Sequence, residues 1–191
     1  VLSQEYKNIE HIIVDGGSKD QTKAILNRYP NKNKKIYICK NFGIYRSINY
    51  GIKKSKGDYI TILNSDDFYQ SKNTIGNVAA QIKKNKNIKI FFGGVAYFKR
   101  LDYYNVKRVY TSNNFKPWHM KFGLMPPHPG SFIKKDLYDK HQLYNEKFSI
   151  ASDFEFFLRT IYINKIKFKT LNEIIVRMRL GGISTKNLFS Y

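Results

Sequence analysis

Two adjacent carboxylates, Asp66 and Asp67, follow directly after the apolar segment at residues 60–63. A strand ordinarily ends in a turn, for which one Asp is enough, so the second acidic residue needs an explanation. Open α/β sheets bind ligands at the carboxyl ends of their strands, and Mg²⁺-type ions are commonly held by one or two carboxylates together with substrate phosphates. The pair therefore indicates either a divalent-cation site, with Asp66 as the ligand and Asp67 in support, or a solvated turn.

A second polar strand end occurs at residues 15–18, where Asp-Gly-Gly-Ser follows another apolar segment. Gly17 lets a ligand approach the backbone closely, and Ser18 followed three residues later by Gln21 has the spacing of a capping box. The helix start that this spacing predicts would favour an anion. Because the segment lacks the full Gly-x-Gly-x-x-Gly spacing, it indicates either a ligand contact at the turn or a plain strand–turn–helix.

A third acidic residue, Asp153, lies between Ser152 and Glu155, which also have the spacing of a capping box. This spacing predicts that Ser152 is the N-cap and that Asp153 lies in the first helical turn, where the helix dipole favours its charged form. A carboxylate held in that way can accept a proton from a substrate hydroxyl. The alternative is that Asp153 only helps the helix to start.

Two basic side chains complete the candidate set. His128 lies within a proline-rich segment at residues 126–130, which is stiff because proline fixes φ. It is either a substrate contact or an ordinary loop residue. Arg179 alternates with Arg177 on a predicted strand, so the two share one face. Such arginines either clamp a diphosphate or protect an exposed edge strand from aggregation.

Alternating strand-like and helical segments position these groups. The first half predicts three strands at residues 9–15, 35–39 and 59–63, each followed by a helix. The first helix begins at Ser18 and ends at Pro30, the second runs from residue 44 to Gly57, and the third spans residues 75–82. The second half predicts strands at residues 88–92, 95–99, 106–111, 166–171 and 174–179, a long loop at 117–130 and a helix at 153–163. We therefore predict a single α/β domain over residues 1–191, with a mixed, mostly parallel sheet flanked by helices.

Composition sets wider bounds. The 191 residues carry a net charge of +20, which indicates either a polyanionic partner or lysines solvated at helix ends and loops. We favour the second interpretation, with weak attraction to a membrane surface added. No apolar run reaches membrane-spanning length, no secretory signal is visible, and the single Cys39 excludes a disulfide framework. Val1 is not an initiator methionine, and we expect an N-terminal truncation.

Taken in chain order, these segments resemble the inverting family 2 glycosyltransferases of the GT-A fold. The similar segments lie at residues 12–20, 43–51, 57–67, 127–129, 152–155 and 179–184. They cover nearly the whole chain, and their order and spacing carry the resemblance more than any one of them does. It implies a GT-A fold with a nucleotide-sugar half at about residues 1–100 and an acceptor half at about residues 101–191. It also implies an enzyme of bacterial cell-surface polysaccharide synthesis.

The resemblance implies a role for each site residue. The implied donor-binding residues are Asp15, Gly17, Ser18, Asn49, Asp67 and Arg179, the implied ligands of Mn²⁺ or Mg²⁺ are Asp66 and Asp67, the implied catalytic base is Asp153, and the implied acceptor-side residue is His128. The implied partners are a nucleotide-diphospho-sugar donor and a glycan or lipid-linked glycan acceptor. We expect a cytoplasmic location with peripheral contact at the inner membrane face, and no nucleic acid.

The chain departs from the family pattern in three places. Asn64 stands where many members have the first Asp of Asp-x-Asp, and Arg46 replaces an acidic residue that is frequent in this subgroup. The family's first strand is missing, which by mean element lengths amounts to about 20 residues. A sugar nucleotidyltransferase, a basic nucleic-acid-binding domain and a non-catalytic sugar-binding relative remain as alternatives.

Overall fold

The computed structural model describes residues 1–28, 34–99 and 102–181. The strands are β1 (His11–Asp15), β2 (Lys34–Ile38), β3 (Tyr59–Ile60), β4 (Phe68–Tyr69), β5 (Ile90–Lys99), β6 (Asp102–Tyr110), β7 (Ser131–Lys134) and β8 (Phe168–Arg179). The α-helices are α1 (Thr22–Arg28), α2 (Ile44–Lys54), α3 (Thr74–Lys84), α4 (Asp136–His141) and α5 (Ser152–Phe157). Short 3₁₀ segments occupy Pro117–Phe122 and His128–Gly130, and a π-helical segment, Leu158–Ile163, continues α5.

The strands form a two-stranded parallel sheet, β1–β2, and a six-stranded sheet in the order β3–β7–β5–β8–β4, with β6 paired to β5. The predicted mixed α/β class is confirmed. Parallel pairs are fewer than the sequence predicted, because β1–β2 and β5–β8 are parallel whereas β3–β7, β4–β8, β5–β6 and β5–β7 are antiparallel in the described part of the chain. The difference arises in the second half, where β5 and β6 form a hairpin and β7 runs back beside β5.

The central strands β5 and β8 each join two segments that we predicted as separate strands. Register shifts at Phe92/Gly94 and Gly94/Val95 let β5 continue through its glycine pair without ending. Alternate residues of β5 face different parts of the core, with Ile90 and Phe92 in one cluster and Phe91 and Val95 in the other. Helices α4 and α5 contribute to the first cluster and α3 to the second, so both faces of the sheet are covered.

The 3₁₀ turn at His128–Gly130 packs directly on β5. A Cβ atom built on Gly130 would lie 2.4 Å from the carbonyl oxygen of Gly93, so no side chain fits at that position without a shift of the backbone. The predicted loop at residues 117–130 is therefore ordered by two 3₁₀ segments and anchored to the sheet beside His128.

Several predicted boundaries shift. Strand β3 ends at Ile60, and residues 61–64 leading to the acidic pair lie outside any strand. Helix α1 begins at Thr22, four residues later than Ser18, and its predicted end at Pro30 lies outside the described residues, as do residues 182–184. No helix formed by the described residues combines the length and apolar character needed to cross a membrane.

Candidate active site

The acidic pair separates into one buried and one accessible carboxylate. Asp67 is buried, and its Oδ2 accepts a hydrogen bond from Asn64 Nδ2 at 3.0 Å while its Oδ1 accepts one from the backbone N–H of Arg179 at 3.2 Å. Burial raises the pKa of Asp67, and these two hydrogen bonds work in the opposite direction. Asp66 has a side chain 35% exposed, and its Oδ2 lies 3.2 Å from Nε of Arg179. Arg179 therefore holds both carboxylates at once, one through its backbone and one through its side chain.

The acidic pair offers few protein ligands to a cation. Within residues 1–28, 34–99 and 102–181, no group of three or more His, Cys, Asp and Glu side chains could hold a metal ion. An ion at this place would take Asp66 as its more accessible protein ligand and complete its shell with diphosphate oxygens, since Asp67 is buried. Asn64, which stands at the first position of the Asp-x-Asp pattern, orients Asp67 through its amide.

The turn after β1 is organised around Asp15. Its carboxylate accepts hydrogen bonds from the backbone N–H of Ser18 at 3.1 Å and from the Ser18 hydroxyl at 2.6 Å, and the side-chain bond is the main reason that the pKa of Asp15 is lowered. Gly17 has φ of +101°, a conformation that favours glycine. The predicted capping box at Ser18 is wrong, because its hydroxyl donates to Asp15 and the helix starts at Thr22.

Asp153 lies in the first turn of α5, as predicted from the sequence. Its Oδ1 accepts a hydrogen bond from the Tyr45 hydroxyl at 3.2 Å, and the same hydroxyl accepts one from the backbone N–H of Ser152 at 3.1 Å. The predicted Ser152 cap is wrong, because Ala151, in the left-handed conformation, precedes the helix and Ser152 lies inside it. Glu155 accepts hydrogen bonds from Arg159 at 2.8 and 2.9 Å.

His128 belongs to a buried hydrogen-bonded chain. Its Nε2 lies 2.9 Å from the Tyr144 hydroxyl, which lies 3.1 Å from the hydroxyl of Tyr138. Burial lowers the pKa of His128, whereas the charge of Asp153 acts to raise it, so the imidazole is neutral at pH 7 and senses the carboxylate. Burial also raises the pKa of Tyr144 well above its ordinary value, which keeps its proton available for Nε2.

Asn49 has a structural position. It is 3% exposed, its Nδ2 donates to the Tyr144 carbonyl oxygen at 2.8 Å and to Glu146 at 3.0 Å, and its Oδ1 accepts from the Tyr144 backbone N–H at 3.0 Å. This geometry does not support the expected contact between Asn49 and a donor, because the amide is turned into the protein. Asn49 instead fixes the Tyr144 segment to α2.

Helix α2 joins two of the candidate groups. Its residue Tyr45 contacts Asp153, and the Ser47 hydroxyl oxygen lies 3.9 Å from a Cβ position built on Gly16 in the Asp15 turn. The acidic pair with Arg179 forms a separate group, since no hydrogen bond or ion pair among the described residues links it to Asp153. The sequence analysis did not identify Tyr45 or Tyr144 as site residues. For Tyr45 a signal was available, because Tyr45 and Asn49 are polar residues four positions apart on one face of α2, beside the apolar Ile48.

The profile of glycosyl transferase family 2 matches residues 1–161. The chain belongs to glycosyl transferase family 2. This finding confirms the family resemblance on which the site residues were assigned, and the matched residues include α1–α5 and β1–β7 of the described structure.

Curated glycosyltransferases align along nearly the whole chain. An uncharacterized glycosyltransferase of Rickettsia typhi is 28% identical over 196 residues, which cover 97% of this chain and 59% of the relative. A PGL/p-HBAD biosynthesis glycosyltransferase of Mycobacterium bovis is 25% identical over 195 residues, which cover 96% of this chain and 71% of the relative. The chain thus spans little more than half the length of the Rickettsia protein.

Solved structures confirm the GT-A fold. The crystal structure of S. aureus TarS residues 1–349 in complex with UDP-GlcNAc superposes with a TM-score of 0.71 and 20% identity. The superposition covers 99% of this chain and 55% of that one. The same TarS fragment in complex with UDP superposes with a TM-score of 0.69, covering 94% of this chain and 54% of that one.

Proposed function

We propose that this family 2 chain transfers a sugar from a nucleotide-diphospho-sugar to an acceptor hydroxyl, with inversion at the anomeric carbon and with Asp153 as the catalytic base. The observation that carries the proposal is the setting of Asp153, whose carboxylate is oriented by the Tyr45 hydroxyl in the first turn of α5. A base held in that way has one oxygen fixed by the protein and the other available to an incoming hydroxyl.

The reaction is a single displacement. The acceptor oxygen forms a bond to the anomeric carbon from the face opposite the diphosphate, and its proton passes to Asp153. The bond between the anomeric carbon and the diphosphate oxygen breaks, and the nucleoside diphosphate leaves with the electron pair. His128, neutral because of its burial, lies in the electrostatic range of Asp153 and forms part of the acceptor side.

The leaving diphosphate gains negative charge, which a cation on Asp66 and the guanidinium of Arg179 would stabilise. We propose that Asp66 holds Mn²⁺ or Mg²⁺ and that Arg179, released from its ion pair with Asp66, contacts a diphosphate oxygen. A bound divalent cation would supply Lewis-acid stabilisation of the leaving group. Asp67 positions the pair through Asn64 and the Arg179 backbone, so its own contact with the donor is secondary.

The Asp15 turn and the comparisons support a proposal for the chemical classes of the donor and the acceptor. The Asp15 turn, with Gly17 and Ser18, would receive the nucleoside, and the UDP-GlcNAc complex of TarS puts UDP-GlcNAc first among the donors to test. We propose a glycan or lipid-linked glycan as acceptor and a role in cell-surface polysaccharide synthesis. The name of the Mycobacterium bovis relative, which refers to PGL/p-HBAD biosynthesis, supports a biosynthetic role.

The test is a panel of nucleotide sugars, with and without Mn²⁺, scored for release of the nucleoside diphosphate and for the anomeric configuration of the product. Asp153→Asn is expected to abolish transfer while leaving donor affinity within about twofold, because the substitution removes only the proton acceptor. Asp139→Asn, on the exposed face of α4, is the matched control. Full activity of Asp153→Asn would refute the assignment, and release of pyrophosphate from a nucleoside triphosphate would indicate a nucleotidyltransferase instead.

A further inference from the structure

An aromatic surface outside the catalytic groups is exposed in the described part of the chain. Trp118, Phe122 and Leu124 are 51%, 73% and 54% exposed, although they lie within seven positions of one another. The Trp118 and Phe122 rings pack edge to face with centroids 6.0 Å apart. Together with Lys116 and Lys121 they form what is here termed the Trp118 surface.

The Trp118 surface is held in place by folded structure. Met120, in the middle of the same 3₁₀ segment, is 2% exposed and belongs to the core, while Phe115 packs against Phe168 with ring centroids 5.6 Å apart. The segment therefore turns Met120 inward and Trp118 and Phe122 outward. Large apolar groups grouped in this way on a fixed element mark an interaction site.

The charges around this surface share one sign. The 3₁₀ segment packs against the π-helical segment Leu158–Ile163, and residues 111–124 and 156–172 contain no Asp or Glu. Lys116, Lys121, Lys165 and Lys167 are exposed on these two segments. The partner must therefore combine an apolar interior with negative surface charge. A second copy of this chain, which carries +20 as well, does not meet that requirement.

We propose that the Trp118 surface docks on an anionic phospholipid bilayer, with Trp118, Phe122 and Leu124 entering the headgroup region and the lysines contacting lipid phosphates. Trp is favoured at membrane–water interfaces, and lysines beside apolar residues add electrostatic attraction to anionic lipids. The segment leads directly to His128 through Met125, whose carbonyl oxygen accepts a hydrogen bond from Tyr110. Docking there would place the acceptor side next to the bilayer.

The sequence itself supplies the probe, because Trp118 is the only tryptophan of the chain. The purified protein is mixed with vesicles of phosphatidylcholine alone or with phosphatidylglycerol added, in the absence of donor and acceptor, so the result is independent of catalysis. We expect a blue shift of Trp118 emission and co-sedimentation with the anionic vesicles only. Absence of both with anionic vesicles would overturn the proposal.

Two pairs of variants locate the contact. Phe122→Ser/Leu124→Ser keeps the reporter and should weaken vesicle binding at least tenfold, whereas Leu2→Ser/Ile25→Ser removes two exposed aliphatic side chains elsewhere and should not. Lys116→Gln/Lys121→Gln should weaken binding on the order of tenfold, and more than Lys83→Gln/Lys84→Gln on α3. Equal losses in test and control pairs would contradict the proposal, as would a dimer that forms without vesicles and is lost in Phe122→Ser/Leu124→Ser.

Discussion

The backbone N–H of Arg179 donates a hydrogen bond of 3.2 Å to Oδ1 of Asp67, joining residues 112 positions apart. This bond fixes the end of β8 to the acidic turn, and it brings the Arg179 guanidinium to Asp66. One backbone contact thus holds both the acidic pair and its basic neighbour in place. Changes at Asp67 should therefore affect folding as much as donor binding.

Replacing Asp67 tests this positioning role. Asp67→Ala leaves the Asn64 amide and the Arg179 N–H without their acceptor and should lower the free energy of unfolding by about 1–3 kcal/mol. Asp67→Asn keeps an oxygen for Arg179, and Asn64 can turn its amide to present an oxygen to the new NH₂, so its effect should stay within about 1 kcal/mol. Chemical denaturation measures both, and equal losses in the two variants would contradict the role.

The pH dependence of Asp67→Asn gives a second measurement on the same residue. Because burial raises the pKa of Asp67, ionisation destabilises the folded state as the pH rises from the ordinary carboxyl pKa through the folded-state pKa. Asp67→Asn has no carboxyl group to ionise, so the wild-type stability should fall relative to that of the variant over this pH range. A difference curve that stays flat through the acid range would show that Asp67 titrates normally.

Replacing Asp66 should separate two proposed contributions to donor affinity, that of the cation and that of Arg179. We expect Asp66→Ala to abolish the Mn²⁺-dependent increase in donor affinity, measured by calorimetry with and without the ion. Residual metal-independent binding should persist, because the freed Arg179 guanidinium still meets the diphosphate. Asp139→Ala is the control, and an unchanged Mn²⁺ dependence in Asp66→Ala would place the cation elsewhere.

Tyr45→Phe should lower kcat about tenfold with the donor KM unchanged, because it removes a hydrogen bond that orients the base and not one that holds the donor. Its matched control is Tyr50→Phe on the same helix, where the hydroxyl makes no hydrogen bond to a described residue. Circular dichroism should show both variants folded. A rise in KM without a fall in kcat would show that Tyr45 acts on the donor and not on Asp153.

Ser18→Ala should raise the pKa of Asp15 towards its ordinary value, since the Ser18 hydroxyl is the main group that lowers it. In the wild type, ionised Asp15 stabilises the folded state above the ordinary carboxyl pKa, and this stabilisation is lost as the pH falls through the lower folded-state pKa. The variant should therefore lose stability at a higher pH. An NMR titration of the Asp15 carboxyl checks this, with Ser3→Ala as the control; an unchanged pKa would refute it.

The local parts of the fold were predictable from sequence periodicity. Ile44, Ile48 and Ile52 predicted α2, and the acidic residue after Ser152 was placed correctly in the first turn of α5. Both predicted capping boxes failed for local reasons. The Ser18 hydroxyl binds the preceding Asp15 instead of the helix backbone, and Ala151 occupies the position that Ser152 was expected to take.

The sequence provided candidate site residues, but it did not indicate the long-range contacts between them. The hydrogen bond between Tyr45 and Asp153 spans 108 positions, and nothing in either local pattern indicates it. Asn49 illustrates the converse error, because a polar residue in a family segment proved to be buried against Tyr144. Strand β3 is also shorter than predicted, because its pairing with β7 ends at Ile60 and residues 61–64 pair with no strand in the described part of the chain.

The contact between Gly93 and Gly130 bears on how this protein could be re-engineered. A Cβ atom built on Gly130 would lie only 2.4 Å from the Gly93 carbonyl oxygen, so any larger residue would push the His128 turn away from the sheet. Libraries aimed at new acceptors should therefore keep residue 130 invariant and vary the outward positions Trp118, Phe122 and Leu124. The absence of a side chain at Gly130 therefore determines how closely the His128 turn lies against β5.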